Sequence, residues 1–138
     1  MRAIAYHQAG SINRPDALLD LELPRPQPSG RDLLVAVQAV SVNPVDTKVR
    51  AGAAPFDGRE ERILGWDAAV VVAAVGPEVT RFKVGDPVFY AGDIARDGSN
   101  AEYQLVDERI VGQAPSTLSV AEAAALPLTA ITAWETLF

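Results

Sequence analysis

Apolar and polar positions alternate with a period of two in several short runs, the signature of strands that bury one face. The clearest run covers residues 32–42, DLLVAVQAVSV, where Leu34, Ala36, Gln38 and Val40 share one face and Leu33, Val35, Val37 and Ala39 the other. Both faces are mostly apolar, which predicts a central strand. Residues 2–6, 18–23, 68–75, 88–91 and 101–106 read as further strands. Breakers separate them: Pro24, Pro26, Pro28 and Gly30, then Asn43-Pro44, Gly76-Pro77 and the turn FKVGDP at 82–87. A polar loop is predicted over 92–100.

Pro44 suits the first turn of a short helix over 45–50, closed by Gly52. After Pro115 the period lengthens. Ser119 and Glu122 form a capping box, in which hydroxyl and carboxylate each satisfy an orphan backbone donor, so a helix is expected over 121–126. A helical pattern resumes over 128–138 after Pro127, with Ile131, Trp134 and Phe138 on one face. Short strands joined by Gly/Pro turns, with helices only at the end, predict a mainly β fold: a partly open barrel or strongly bent sheet with a helical exit.

Composition narrows the function classes. The chain has 138 residues, one ordinary domain. Acidic residues outnumber basic ones 18 to 12, and no Lys/Arg cluster could track a phosphate backbone, so nucleic acid is not an expected partner. No apolar stretch is long enough to span a bilayer and no signal peptide is apparent, which predicts a cytoplasmic protein without membrane association. The chain has no cysteine, which removes thiolate nucleophiles and cysteine-ligated zinc. With one histidine, His7, neither a Ser-His-Asp site nor a His-rich metal site can be assembled convincingly. No G-x-G-x-x-G or P-loop occurs, so any dinucleotide must have its phosphates held elsewhere. Asp93 and Asp97 read as solvent-facing turn formers.

Three phrases go beyond composition: VSVNPVDTKVRAG (40–52), LGWDAAVVVAAVGPEVTRFKVGDPVF (64–89) and AEAAALPLTAITAWETLF (121–138). Together, and in this order, they resemble the N-terminal catalytic domain of the medium-chain dehydrogenase/reductase superfamily, most of all its quinone oxidoreductase and zinc-type alcohol dehydrogenase-like branch. GSNAEYQLVDERIVG (98–112) fits the same branch. The resemblance implies a GroES-like domain over 1–126. It also implies that 127–138 begin the connecting helix to a Rossmann domain outside this chain. Hydride transfer from NADPH to a quinone, enone or related carbonyl would then occur in the full-length protein, and these 138 residues alone would be inactive. Zinc-using members of the family place a Cys where Asn43 stands and a Gly-His-Glu where Gly65-Trp66-Asp67 stands. They also carry a cysteine-rich lobe after the position of Tyr90. The resemblance therefore implies a zinc-independent member, with no metal ligands.

Within that frame Asn43 is the leading catalytic and cofactor-facing candidate, since an amide both donates and accepts; it could equally cap the helix behind it. Thr129 matches the family's threonine beside the nicotinamide carboxamide, and its alternative is a plain helix N-terminal residue. Asp46 would orient Lys48 or cofactor groups, or serve the helix dipole. Trp66, Asp67 and Tyr90 are the substrate-pocket candidates; Trp66 and Tyr90 read equally as core aromatics, and Asp67 as the polar start of a strand. A second reading is a stand-alone GroES-like binding module, self-associating through the apolar face of the last helix, and a third a true zinc alcohol dehydrogenase.

Overall fold

In the computed structural model, which covers Met1–Phe138, the long apolar run at 32–42 forms strand β3 (Asp32–Val40). It lies between β5 (Asp67–Val75) and β7 (Tyr103–Asp107), antiparallel to both. Two more strands, β6 (Pro87–Ala91) and β8 (Gly112–Gln113), extend the sheet in the order β7-β3-β5-β6-β8. A second, three-stranded sheet has β1 (Arg2–Tyr6) at its centre, flanked by β2 (Leu19–Glu22) and β4 (Arg62–Ile63). The two sheets do not close into a barrel. They are stitched by the chain before β7: Ala3 bridges Ala101, Ile4 N–H donates to Asn100 O (2.8 Å) and Glu102 N–H to Arg2 O (3.0 Å). The fold is mainly β, as expected.

The core follows the alternation. Leu33 and Val35 pack with Val70 and Val72, Val88, Tyr90 and Val106, all fully buried. Each aliphatic side chain contributes roughly 1.5–3 kcal/mol of transfer free energy. Register shifts after Leu34 and Val37 bend β3 away from its partner. Its second half is accordingly half-exposed, and the strand ends at Val40, two residues earlier than predicted. The strand predicted from 101 starts at Tyr103, because 100–102 are occupied in joining the sheets. β4 and β8, two residues each, have no periodicity to read.

Helix α1 (Pro44–Gly52) includes the glycine expected to end it; Gly52 stays helical, and Ala53 closes the helix with its N–H to Val49 O. Helix α2 (Val120–Ala124) has the predicted capping box and sets Ala123 and Ala124 against Ala69 of β5. Helix α3 (Pro127–Leu137) buries only Pro127. Ile131, Trp134, Leu137 and Phe138 are exposed, with the Trp134 and Phe138 rings 4.7 Å apart. No helix is long and apolar enough to cross a membrane.

One buried carboxylate outside this framework is fully paired. Glu108, in the single 3-10 turn Glu108–Ile110, accepts from Thr80 N–H (3.0 Å), Arg81 N–H (2.8 Å) and Arg31 Nη1 (2.8 Å). The backbone donors and the Arg31 charge hold its pKa below the ordinary value of 4.5 despite desolvation. A depressed folded pKa gives stability that is present above pH 4.5 and lost as pH falls through the folded value. Glu108→Gln should therefore lower the melting temperature at pH 7 and flatten its decline below pH 4.5, which a melting series in acid would reveal.

Candidate active site

Asn43 precedes Pro44, whose ring restricts it to extended backbone (φ -125°, ψ 163°) at the N-terminus of α1. Pro44 brings no N–H, and the carboxylate of Asp46 accepts the N–H of Asn43 (2.8 Å), closing the helix start. The side chain of Asn43 completes this reciprocal capping box, its oxygen facing the N–H of Asp46. Its Nδ2 donates to Oδ2 of Asp67 (3.1 Å), the first residue of β5, and lies 3.5 Å from Ser41 O. The other Asp67 oxygen, Oδ1, accepts the backbone N–H of Leu128 in α3 (3.1 Å).

Three elements distant in sequence, α1, β5 and α3, therefore meet at one carboxylate. Asp67 is completely buried, and desolvation pushes its pKa above the usual carboxylate range. The amide of Asn43 and the N–H of Leu128 oppose that rise, and the nearby charge of Asp46 adds a little to it. Asp46 is buried too, and its Oδ1 has no hydrogen-bond partner. Thr129, one residue beyond Leu128, is exposed, with its hydroxyl donating to Ala125 O (3.1 Å) and Leu126 O (3.0 Å). Asn43, Asp46, Asp67 and the start of α3 form one polar cluster.

The two aromatic candidates lie in the core. Trp66 is 2% exposed, packs with Tyr6, Val49 and Leu64, and donates Nε1–H to Asp93 O (3.1 Å). Tyr90, read equally as a pocket residue and as a core aromatic, is buried among the valines of the large sheet with its hydroxyl on Gln104 Oε1, because its register opposite Ala68 turns it inward. The start of β5 is held by close backbone packing. Gly65 adopts φ +105°, its carbonyl accepts from Ser99 N–H (2.8 Å), and a Cβ there would meet Ser99 Oγ at 2.5 Å.

Sequence reasoning had no way to find the Leu128 contact, which joins residues 61 apart through a backbone donor. Asp93 is exposed and accepts from Ala95 N–H (2.8 Å), the expected turn; Asp97, by contrast, pairs with Arg59 (3.0 Å). His7 Nδ1 is 2.8 Å from Glu60 O. No three His, Cys, Asp or Glu side chains converge to hold a metal ion, so this donor set does not fit a catalytic zinc.

Two sheets stitched through residues 100–102, with a polar cluster where the last helix leaves them, define a GroES-like domain. A family model for the alcohol dehydrogenase GroES-like domain matches residues 29–127, and the chain belongs to that family, within the medium-chain dehydrogenases/reductases. It is 45% identical over its whole length to a zinc-type alcohol dehydrogenase-like protein of Staphylococcus epidermidis, covering 40% of that protein. It is 37% identical to the chloroplastic quinone-oxidoreductase homolog of Spinacia oleracea, over 99% of this chain and 42% of the relative. Among solved structures it resembles a Rhizobium etli protein provisionally described as a zinc-dependent alcohol dehydrogenase (58% identity, TM-score 0.95, 100% of this chain and 40% of that one). It also resembles Escherichia coli quinone oxidoreductase complexed with NADPH (26% identity, TM-score 0.83, 99% and 40%). The chain thus spans about 40% of the length of these relatives.

Proposed function

We propose that this chain is the catalytic-domain part of a zinc-independent, NADPH-dependent oxidoreductase that reduces a quinone, enone or related carbonyl. The observation that carries this reading is the Asn43 amide, held by its capping box with Asp46 and by Asp67 beside the start of α3, in a chain of this family. An amide and a hydroxyl at two helix N-termini, Asn43 and Thr129, suit the polar end of a nicotinamide and the oxygen of an acceptor. NADPH, when bound, supplies the hydride. Asn43 would position the acceptor oxygen and stabilise charge developing on it, while a water or hydroxyl delivers the proton that completes the reduction. The phosphates would be held by a Rossmann domain beyond residue 138, so these residues alone would be inactive.

The full-length protein should oxidise NADPH in the presence of at least one member of a quinone and enone panel. Asn43→Ala should lower kcat/KM about 100-fold, the usual cost of removing one group that stabilises a developing oxyanion. An enzyme inactive toward the whole panel, or a variant as active as wild type, would overturn the reading. Elemental analysis should find no stoichiometric zinc, and a chelator should leave activity unchanged.

The exposed apolar residues of α3 favour a second reading, a binding module that self-associates through this helix. A gene that continues past Phe138 into a strand and a Gly-rich turn would reject it.

A further inference from the structure

We propose that Asp67 is the positioning residue of this site: one buried carboxylate sets both the orientation of the Asn43 amide and its placement relative to α3. The inference rests on the functional reading above but concerns how the site is held. Asp67 Oδ2 accepts from Nδ2 of the Asn43 amide, so the amide turns its NH2 and not Oδ1 toward the carboxylate. The amide is thereby locked in one of its two flips.

The same carboxylate does a second job at α3. That helix begins Leu126-Pro127-Leu128; its N-cap, Leu126, offers no side-chain acceptor, and Pro127 has no N–H. Leu128 N–H is left as an orphan donor, and Asp67 Oδ1 accepts it from 61 residues away. Asp67 thus caps α3 across the fold, and its negative charge lies at the positive end of that helix. Thr129 follows directly. The spacing between Asn43 and Thr129 is consequently set through Asp67, not through either residue's own backbone.

Burying a carboxylate is costly, and apolar packing would normally serve stability better. A short side chain with two acceptor oxygens satisfies both donors here. Asparagine would still cap Leu128 through its oxygen, but it would then face the Asn43 amide with a second NH2 group and force a flip.

The test uses the full-length enzyme with NADPH and whichever panel acceptor it reduces. Asp67→Asn should lower kcat about tenfold, the middle of the range for coupled hydrogen-bonded pairs, while hydrogen exchange at the start of α3 stays as in wild type. Asp67→Ala should in addition accelerate exchange at Leu128 and raise KM for NADPH. In an Asn43→Ala background the kcat effect of Asp67→Asn should vanish, which a merely structural role would not produce. Wild-type kcat in Asp67→Asn beside an impaired Asn43→Ala would overturn the positioning role and leave the functional reading intact. Additive effects in the double variant would overturn it as well. An unimpaired Asn43→Ala would instead sink the functional reading itself.

Discussion

Trp66→Ala should reduce the free energy of unfolding by about 3–5 kcal/mol, the range for deleting a fully buried aromatic. Trp66 is 2% exposed and fills the space between Tyr6 of β1, Val49 of α1 and Leu64. Its loss opens a cavity at the meeting point of the small sheet and the helix that carries Asn43. Against a typical total of about 5–15 kcal/mol, this is a large fraction of the stability. Trp66→Phe retains most of the volume and forfeits mainly the Nε1–H bond to Asp93 O, so it should cost about 1 kcal/mol. Urea titrations followed by circular dichroism distinguish the two through their midpoints at unchanged slope. A small loss in Trp66→Ala, accompanied by a raised KM for the acceptor, would mark Trp66 as a pocket wall instead.

Gly65→Ala should cost about 2–4 kcal/mol, combining left-handed backbone strain with a steric collision. The residue sits at φ +105°, and its new methyl carbon would lie 2.5 Å from Ser99 Oγ and 2.9 Å from the backbone nitrogen of Asn100. The hydroxyl can rotate away, but the backbone cannot. That backbone is tied down by Asn100 N–H to Leu64 O and Ser99 N–H to Gly65 O, both 2.8 Å. Relief therefore requires moving the start of β5 and, with it, Asp67. The measurable outcome is a lowered melting temperature together with faster hydrogen exchange over residues 97–101.

Much of the architecture was legible because burial here follows period two. The long strand at β3, the strand at β5, the capping box of α2 and the helical run of α3 all come from local pattern, whereas the apolar face read for α3 finds no partner within this chain. What escaped depends on contacts that local pattern does not encode. β4 and β8 exist only because longer neighbours present unpaired edges to them. The late start of β7 reflects work done elsewhere by residues 100–102. Among the site candidates, Asn43 and Asp46 were readable from Asn-Pro and a first-turn acid. Asp67 looked like the polar start of a strand, which it is; its contacts with Asn43 and Leu128 arise from the three-dimensional meeting of α1 and α3. For Tyr90 the pocket and core readings stay open in the sequence, because strand register, invisible there, decides which face it takes.

The stitching of β1 to residues 100–102 also has a kinetic meaning. Strand β1 is synthesised long before its partners at Ile63, Asn100 and Glu102. Such long loop closures slow folding. On the ribosome β1 can pair with β2 as a hairpin-like unit, but the small sheet waits for Ile63 and its seam with the large sheet for Asn100 and Glu102. The last step to be locked would then be the one that brings the two sheets together, and destabilising this seam should slow folding more than it speeds unfolding only if the seam forms in the rate-limiting step.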